Sequence, residues 1–116
     1  MRLQLTAGSD LAPGDVCSIK TSDSGFGVIK ILVFEKHLVH IRKYKNRFPE
    51  RPYQIDPSGL SLGTIQDPDG FGVSHLPVSA TGFGAWMPAR ICRQEVTDEE
   101  LDGYRHWLED QSSDWN

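Results

Sequence analysis

The chain has 116 residues, which is long enough for one hydrophobic core and too short for two. Its 38% hydrophobic and 24% charged residues are typical of a globular domain, and its 11 glycines and 7 prolines favour short strands and turns over a helical bundle. The formal net charge of −4 excludes a surface that is positive on every side, as general binding of nucleic acid or anionic lipid would require. We therefore predict one domain over residues 1–116, with a β core at about 14–93 and a C-terminal helix at about 98–110.

The cysteines and the N-terminus indicate a compartment. Cys17 and Cys92 are too few for a disulfide scaffold and lie in no Cys-x-x-Cys motif, so we expect free thiols in a reducing environment. The first residues lack the pattern of a secretion signal, and no apolar stretch approaches the length of a membrane span. These features predict a cytoplasmic protein that does not bind membranes.

Apolar alternation and turn residues predict the strands of the β core. The predicted strands cover 16–20, 26–34, 38–44, 60–65, 71–78 and 86–93. Segment 26–34 is almost continuously apolar, which is typical of a central strand. We expect a mainly β (α+β) fold, either a small SH3-like barrel or a strongly bent antiparallel sheet, with one C-terminal helix.

A tight turn at 35–37 is predicted to join the central strand to its neighbour. In that neighbour Leu38, His40, Arg42 and Tyr44 share the more polar face, which we expect to point outward. Three prolines between 45 and 59 then predict a long ordered loop.

A capping box marks the start of the C-terminal helix. Thr97 is followed three residues later by Glu100, so that each side chain can bond the backbone amide of the other. Leu101, Tyr104 and Leu108, with Trp107 beside them, recur at helical spacing and predict the face that docks on the sheet.

Gly-Phe-Gly occurs three times, at 25–27, 70–72 and 82–84. The spacing is unequal and none of the three fits a phosphate-binding loop that opens a helix. We expect the glycines to permit tight backbone contacts around phenylalanines that fill the core.

The histidines give little support for a metal site or an enzyme. His37 and His40 are three residues apart on a strand, which places them on opposite faces, so they cannot chelate one metal. His75 is the one conceivable acid–base group, but no serine or cysteine lies in a nucleophile motif. We predict no catalytic residues, no metal and no cofactor.

Charge is distributed unevenly along the chain. Residues 36–51 hold six bases and one acid, whereas 95–116 hold eight acids and one base. The basic segment is either a solvated loop that pairs with acids of its own chain or a contact surface for a partner. The candidate partner-binding residues are Arg42, Lys43, Tyr44, Arg47, Phe48 and Arg51, and a secondary acidic surface comprises Glu99, Glu100 and Asp102.

Three segments together resemble a family of small bacterial proteins related to the immunity proteins of polymorphic toxin systems. These segments are Gly14-Asp15-Val16, Phe26-Gly27-Val28-Ile29-Lys30-Ile31-Leu32 and 97–107. The resemblance implies a cytoplasmic antidote that binds one cognate toxin directly and performs no reaction, and it carries over no functional residue.

Two alternatives to an immunity-type protein-binding module stay open. A small β-barrel could hold nucleic acid with the basic and aromatic segment 36–51, and an enzyme would need His75 and neighbouring acids in one pocket. The sequence leaves open the partner, the oligomeric state and which charged region is the interface.

Overall fold

A five-stranded antiparallel sheet forms the centre of the molecule. The computed structural model describes residues 3–6, 9–67 and 70–113. Its elements are, in chain order, β1 (Leu3–Thr6), β2 (Ser9–Leu11), β3 (Asp15–Lys20), β4 (Phe26–Glu35), β5 (Leu38–Phe48), a 3₁₀ turn (Pro57–Gly59), β6 (Val73–Ser79), α1 (Ala80–Ala85), β7 (Ala89–Arg93) and α2 (Asp102–Ser113). The strand order is β6-β5-β4-β3-β7, and β1 pairs with β2 in a separate hairpin. The predicted mainly β fold with a bent antiparallel sheet is confirmed, with two helices rather than one.

Bulges bend the sheet. Register shifts interrupt the ladder between β3 and β7, two positions of the ladder between β4 and β5, and the ladder between β5 and β6. Each extra residue kinks its strand and increases the local twist. Within the described ranges no ladder joins β6 to β7, so the sheet stays open along those two edges.

One face of the sheet carries the main apolar core, which α1 covers. Phe83 of α1 is 0% exposed and packs on side chains from the three central strands. The residues of this cluster are Leu11, Cys17, Ile19, Ile29, Ile31, Val39, Ile41 and Phe83. Their β-branched and apolar side chains alternate along each strand, as the sequence pattern predicts.

The opposite face is covered by α2, which corrects one prediction. The face that carries Leu38, His40, Arg42 and Tyr44 was expected to point outward, yet His40 is 0% exposed and Arg42 retains 18% side-chain exposure. Tyr104 of α2 lies 4.7 Å from His40, measured between ring centroids. The polarity of this face is a poor guide to its exposure, because the helix that covers it supplies polar and aromatic side chains that contact it.

The strand boundaries differ from prediction in two more places. β5 continues to Phe48, which pairs with Phe26, and it ends before Pro49, which has no amide hydrogen to donate. Segment 60–65 is irregular instead of a strand, because Gly63 adopts a φ of +67° that interrupts the extended backbone.

The predicted last strand, 86–93, begins only at Ala89, because the preceding residues belong to α1 and the turn after it. Ser79 caps this helix, since its hydroxyl oxygen accepts from the amide of Gly82 at 3.0 Å. The third Gly-Phe-Gly is therefore helical, and Phe83 fills the core as expected. Phe71 does not, because 55% of its surface is exposed.

Candidate functional site

The predicted contact residues divide between the two faces of the sheet. Arg42 and Tyr44 lie on the α2 face, where Arg42 is 3.9 Å from the carboxylate of Glu100. Burial, reinforced by the nearby charge of Glu100, raises the pKa of Tyr44 to about 12. Arg42 is therefore engaged with the turn that precedes α2, and Tyr44 is partly buried near the same carboxylate.

Arg51 is also used internally. Its guanidinium donates to the hydroxyl of Ser18 at 2.6 Å and lies 4.8 Å from the ring centroid of Phe26. Ser18 is 0% exposed, so Arg51 supplies a partner for a buried hydroxyl. The proline-rich segment is thereby fixed to the sheet.

Lys43 and Arg47 instead line a cleft on the α1 side, which we call the basic cleft. It has a volume of about 250 Å³, and its lining comprises Lys20, Lys43 and Arg47, the hydroxyl residues Thr21 and Ser22, and Ile19 and Trp86. Phe48 borders a neighbouring depression that also includes Arg47 and Pro49. Three of the six predicted contact residues are thus found at one surface.

Gly27 leaves the space for the basic cleft. It pairs with Ile19 on one side and with Arg47 on the other, one residue from the end of both ladders. A Cβ at this position would lie 3.4 Å from Cγ2 of Thr21 and 3.7 Å from Cγ1 of Ile19. A larger residue here would fill the floor between the flanking strands.

The electrostatics of the basic cleft are positive. Arg47 is paired with Asp23, whose pKa is lowered to about 2 by hydrogen bonds from the Thr21 hydroxyl and from Arg47. Among the described residues, neither Lys20 nor Lys43 has a carboxylate within ion-pair distance. Two uncompensated cations therefore remain at the cleft.

An aromatic side chain lines the same cleft, and an exposed apolar side chain follows it in the sequence. Trp86 is partly buried and packs edge to face on Phe83, with 6.0 Å between the ring centroids. Met87 follows it in a left-handed conformation, with φ of 53°, and is 54% exposed. Cationic, aromatic and flexible apolar groups are the types enriched at protein interfaces.

The basic segment also forms ion pairs with its own chain. Besides the Arg47–Asp23 pair, Lys45 lies 3.6 Å from Asp67. Both interpretations of the basic segment therefore apply, each to different residues. Some of its cations pair with carboxylates of the same chain, whereas Lys43 lines the basic cleft.

The predicted acidic surface is divided in the same way. Glu99 and Asp102 are exposed. Glu100 retains 12% side-chain exposure and accepts from Nζ of Lys30 at 2.9 and 3.1 Å. It also completes the predicted capping box with Thr97, with distances of 2.9 and 3.2 Å, so that contact is confirmed.

His75 lies beside His40 under α2, and its ring does not belong to the basic cleft. Among the described residues no three histidine, cysteine or acidic side chains are grouped closely enough to hold a metal ion. The cleft residues that the sequence did not indicate are Ile19, Lys20, Thr21, Ser22 and Trp86. Segment 19–22 and Trp86 are distant in sequence from Lys43 and Arg47, and only the tertiary structure brings them together.

The comparisons give no relative for this chain: no protein-family model, no curated protein and no solved structure matches it. In the part of the chain that the structure describes, no helix has the length and apolar character needed to cross a bilayer.

Proposed function

We propose that this protein is a non-catalytic protein-binding module of the immunity type, which binds a partner carrying acidic groups at the basic cleft and blocks its action by contact. The observation that supports the proposal is the presence of two uncompensated lysines, Lys20 and Lys43, beside Trp86 and the exposed Met87. The immunity role itself depends on the resemblance of segments 14–16, 26–32 and 97–107.

The cleft has the properties of an interface centre. Trp86 offers a rigid ring held by the core, so little conformational entropy is lost when a partner covers it. Met87 adapts its shape, and the two lysines attract carboxylates and raise the association rate. An acidic protein segment meets all three requirements.

Charge reversal tests this proposal. The double variant Lys20→Glu and Lys43→Glu should keep the fold, since neither lysine pairs with a described carboxylate, and should reduce affinity for the partner by about 100-fold or more. Lys36→Glu is the matched control, because this exposed lysine lies in the turn between β4 and β5. The partner is captured from lysate of the native cell and its affinity is then measured by titration calorimetry. Equal affinity in the double variant and the control would remove the cleft from the interface.

Single-stranded nucleic acid is the second candidate, because the same cleft places an aromatic ring beside cations. Bases stack on such rings while lysines hold phosphates. The binding constant of a labelled oligonucleotide, measured by fluorescence anisotropy, should then fall with salt so that its logarithm is linear in the logarithm of the salt concentration. No retention of DNA or RNA at low salt would eliminate this candidate and leave the protein-binding proposal standing.

A further inference from the structure

Two histidines face each other away from the basic cleft: His40 of β5, which is buried, and His75 of β6, which is half-buried. His40 is 0% exposed, and its Nδ1 lies 2.9 Å from Nε2 of His75. The two rings are nearly parallel, with an interplanar angle of 10° and 5.1 Å between centroids. Imidazole is the side chain whose charge changes most readily near neutral pH, so such a pair is sensitive to acid.

α2 docks directly on this pair. The rings of Tyr104 and Trp107 lie 4.7 and 4.8 Å from His40, both with their planes steeply inclined to it. Gly103 lies against His75 so closely that a Cβ at this position would be 2.7 Å from the Cβ of the histidine. Gly103, Tyr104 and Trp107, which lie within the first two turns of α2, therefore contact the two imidazoles.

The pair has little compensation for positive charge. In the described part of the chain, Nε2 of His40 is a buried nitrogen with no hydrogen-bond partner. Glu35 of β4 is the nearby carboxylate, and it accepts a hydrogen bond from the hydroxyl of Tyr104 on α2. On β5, Arg42 bonds the carbonyl of Ser74 and lies near Glu100, so it adds positive charge to this face.

The other charged groups of α2 face solvent. Arg105 pairs with Asp98, and His106 lies 3.9 Å from Glu109 with 74% of its side chain exposed. None of these four is in contact with the buried pair. The charge balance around the imidazoles is therefore set by Glu35 and Arg42.

We propose that the pair of His40 and His75 is an acid-sensitive latch, which holds α2 on the sheet while both imidazoles are neutral and releases it when they take up protons. This inference is independent of the basic cleft. One hydrogen fits between the two facing nitrogens, and a first added proton enters on the remote nitrogen of the ring that donates this hydrogen. A second proton places hydrogens on both facing nitrogens, which are only 2.9 Å apart, and puts two charges beneath Tyr104 and Trp107.

The direction of the pKa shifts agrees with this geometry. Burial, with the charge of His75 added, lowers the pKa of His40 against the opposing influence of Glu35. Burial also lowers the pKa of His75. Because docking depresses both values below the ordinary value of about 6.5, docking is fully held above that pH and weakens as the pH falls below it. The population of released helix should rise by up to about tenfold per pH unit for each proton taken up.

The sheet should survive the release of α2. The cluster around Phe83 lies on the opposite face and contains no histidine among its described members. The latch therefore predicts separate opening of α2, which is a local event, instead of global unfolding.

Hydrogen exchange of the full chain tests the latch. Amide exchange, corrected for the intrinsic effect of pH, is measured at pH 7.5, 6.5 and 5.5, and protection of α2 should fall about tenfold or more between pH 6.5 and 5.5 while β4 stays protected. Constant protection of α2 over this range, or simultaneous loss of α2 and β4, would overturn the proposal.

Two variants separate the latch from ordinary instability. His75→Gln retains a side chain that can bond Nδ1 of His40 but cannot titrate, so the dependence of α2 protection on pH should be reduced by about half or more whatever the absolute stability. His106→Gln removes an exposed histidine of the same helix and should keep the wild-type pH profile. A His75→Gln profile as steep as that of His106→Gln would refute the role of the pair, and so would an NMR titration in which His40 takes up its proton at the same pH as His106.

Discussion

Removal of the charge on Glu100 should destabilise the protein strongly, although the residue lies in a short turn before α2. Its carboxylate pairs with Lys30, a lysine of the central strand β4 that is 3% exposed. The Lys30 ammonium also donates to the carbonyl of Glu95 at 2.9 Å. Glu100→Gln keeps a residue that can serve the capping box and leaves the buried ammonium without its counter-charge.

The expected loss is about 3 kcal/mol, at the low end of the range for breaking a buried ion pair, because Lys30 keeps one hydrogen bond. The double variant Lys30→Met with Glu100→Gln removes both charges and should recover stability to within about 1 kcal/mol of the parent. Glu99→Gln, at an exposed neighbour, should change stability by no more than about 0.5 kcal/mol.

Urea denaturation followed by circular dichroism measures all four proteins. Equal stability of Glu100→Gln and Glu99→Gln, or a double variant less stable than Glu100→Gln, would contradict this role of the buried ion pair. The dependence of stability on pH is a second test of the same ion pair. Burial alone would raise the pKa of Glu100, but the hydrogen bonds from Lys30 and the Thr97 amide bring this pKa below its usual value. The ion pair therefore stabilises the fold above about pH 4.5, and this contribution is lost as the pH falls further.

Two further predictions concern packing and thiol reactivity. Gly103→Ala should lower stability by about 1–3 kcal/mol in spite of alanine's better helix propensity, because its Cβ would clash with the Cβ of His75 at 2.7 Å. Gly59→Ala is the control, since a Cβ there would meet no atom within 4 Å, and it should be nearly neutral in the same thermal melts. A stabilised Gly103→Ala would contradict the close docking of α2. Burial, reinforced by the charge of Asp15, raises the pKa of Cys17 to about 12. Mass spectrometry should therefore show that iodoacetamide at pH 8 modifies Cys17 in urea but not in native protein. Rapid labelling of the native protein would contradict the burial of this thiol.

Local signals were sufficient for the features that depend on neighbours in sequence. The apolar run of β4, the tight turn before Leu38 and the capping box of Thr97 and Glu100 all lie within a few residues, and the structure contains each of them. The Gly-Phe-Gly motifs were a weaker guide to which phenylalanines are buried. Phe83 fills the core, but Phe71 has the same flanking residues and is exposed, because the surrounding chain and not the motif decides burial.

Sequence patterns identified only part of the candidate site. Lys43 and Arg47 were indicated by their position in a basic segment, but nothing local distinguishes them from Arg42, whose charge is directed to Glu100. The distinction comes from the pleat of β5, which sends alternate residues to opposite faces, and from which helix covers each face. The short helix α1, which places Trp86 at the cleft, was missed because its two glycines favour a turn.

By itself, the sequence determined the strands β3 and β4, the hairpin between β4 and β5, and the capped C-terminal helix, because hydrophobic period and hydrogen-bond capping act over short distances along the chain. Only the tertiary structure decided that His40 is buried against His75 and that Lys20 and Lys43 meet at one cleft beside Trp86. These pairs are joined by strand order and helix docking, which depend on long-range packing that no local pattern specifies.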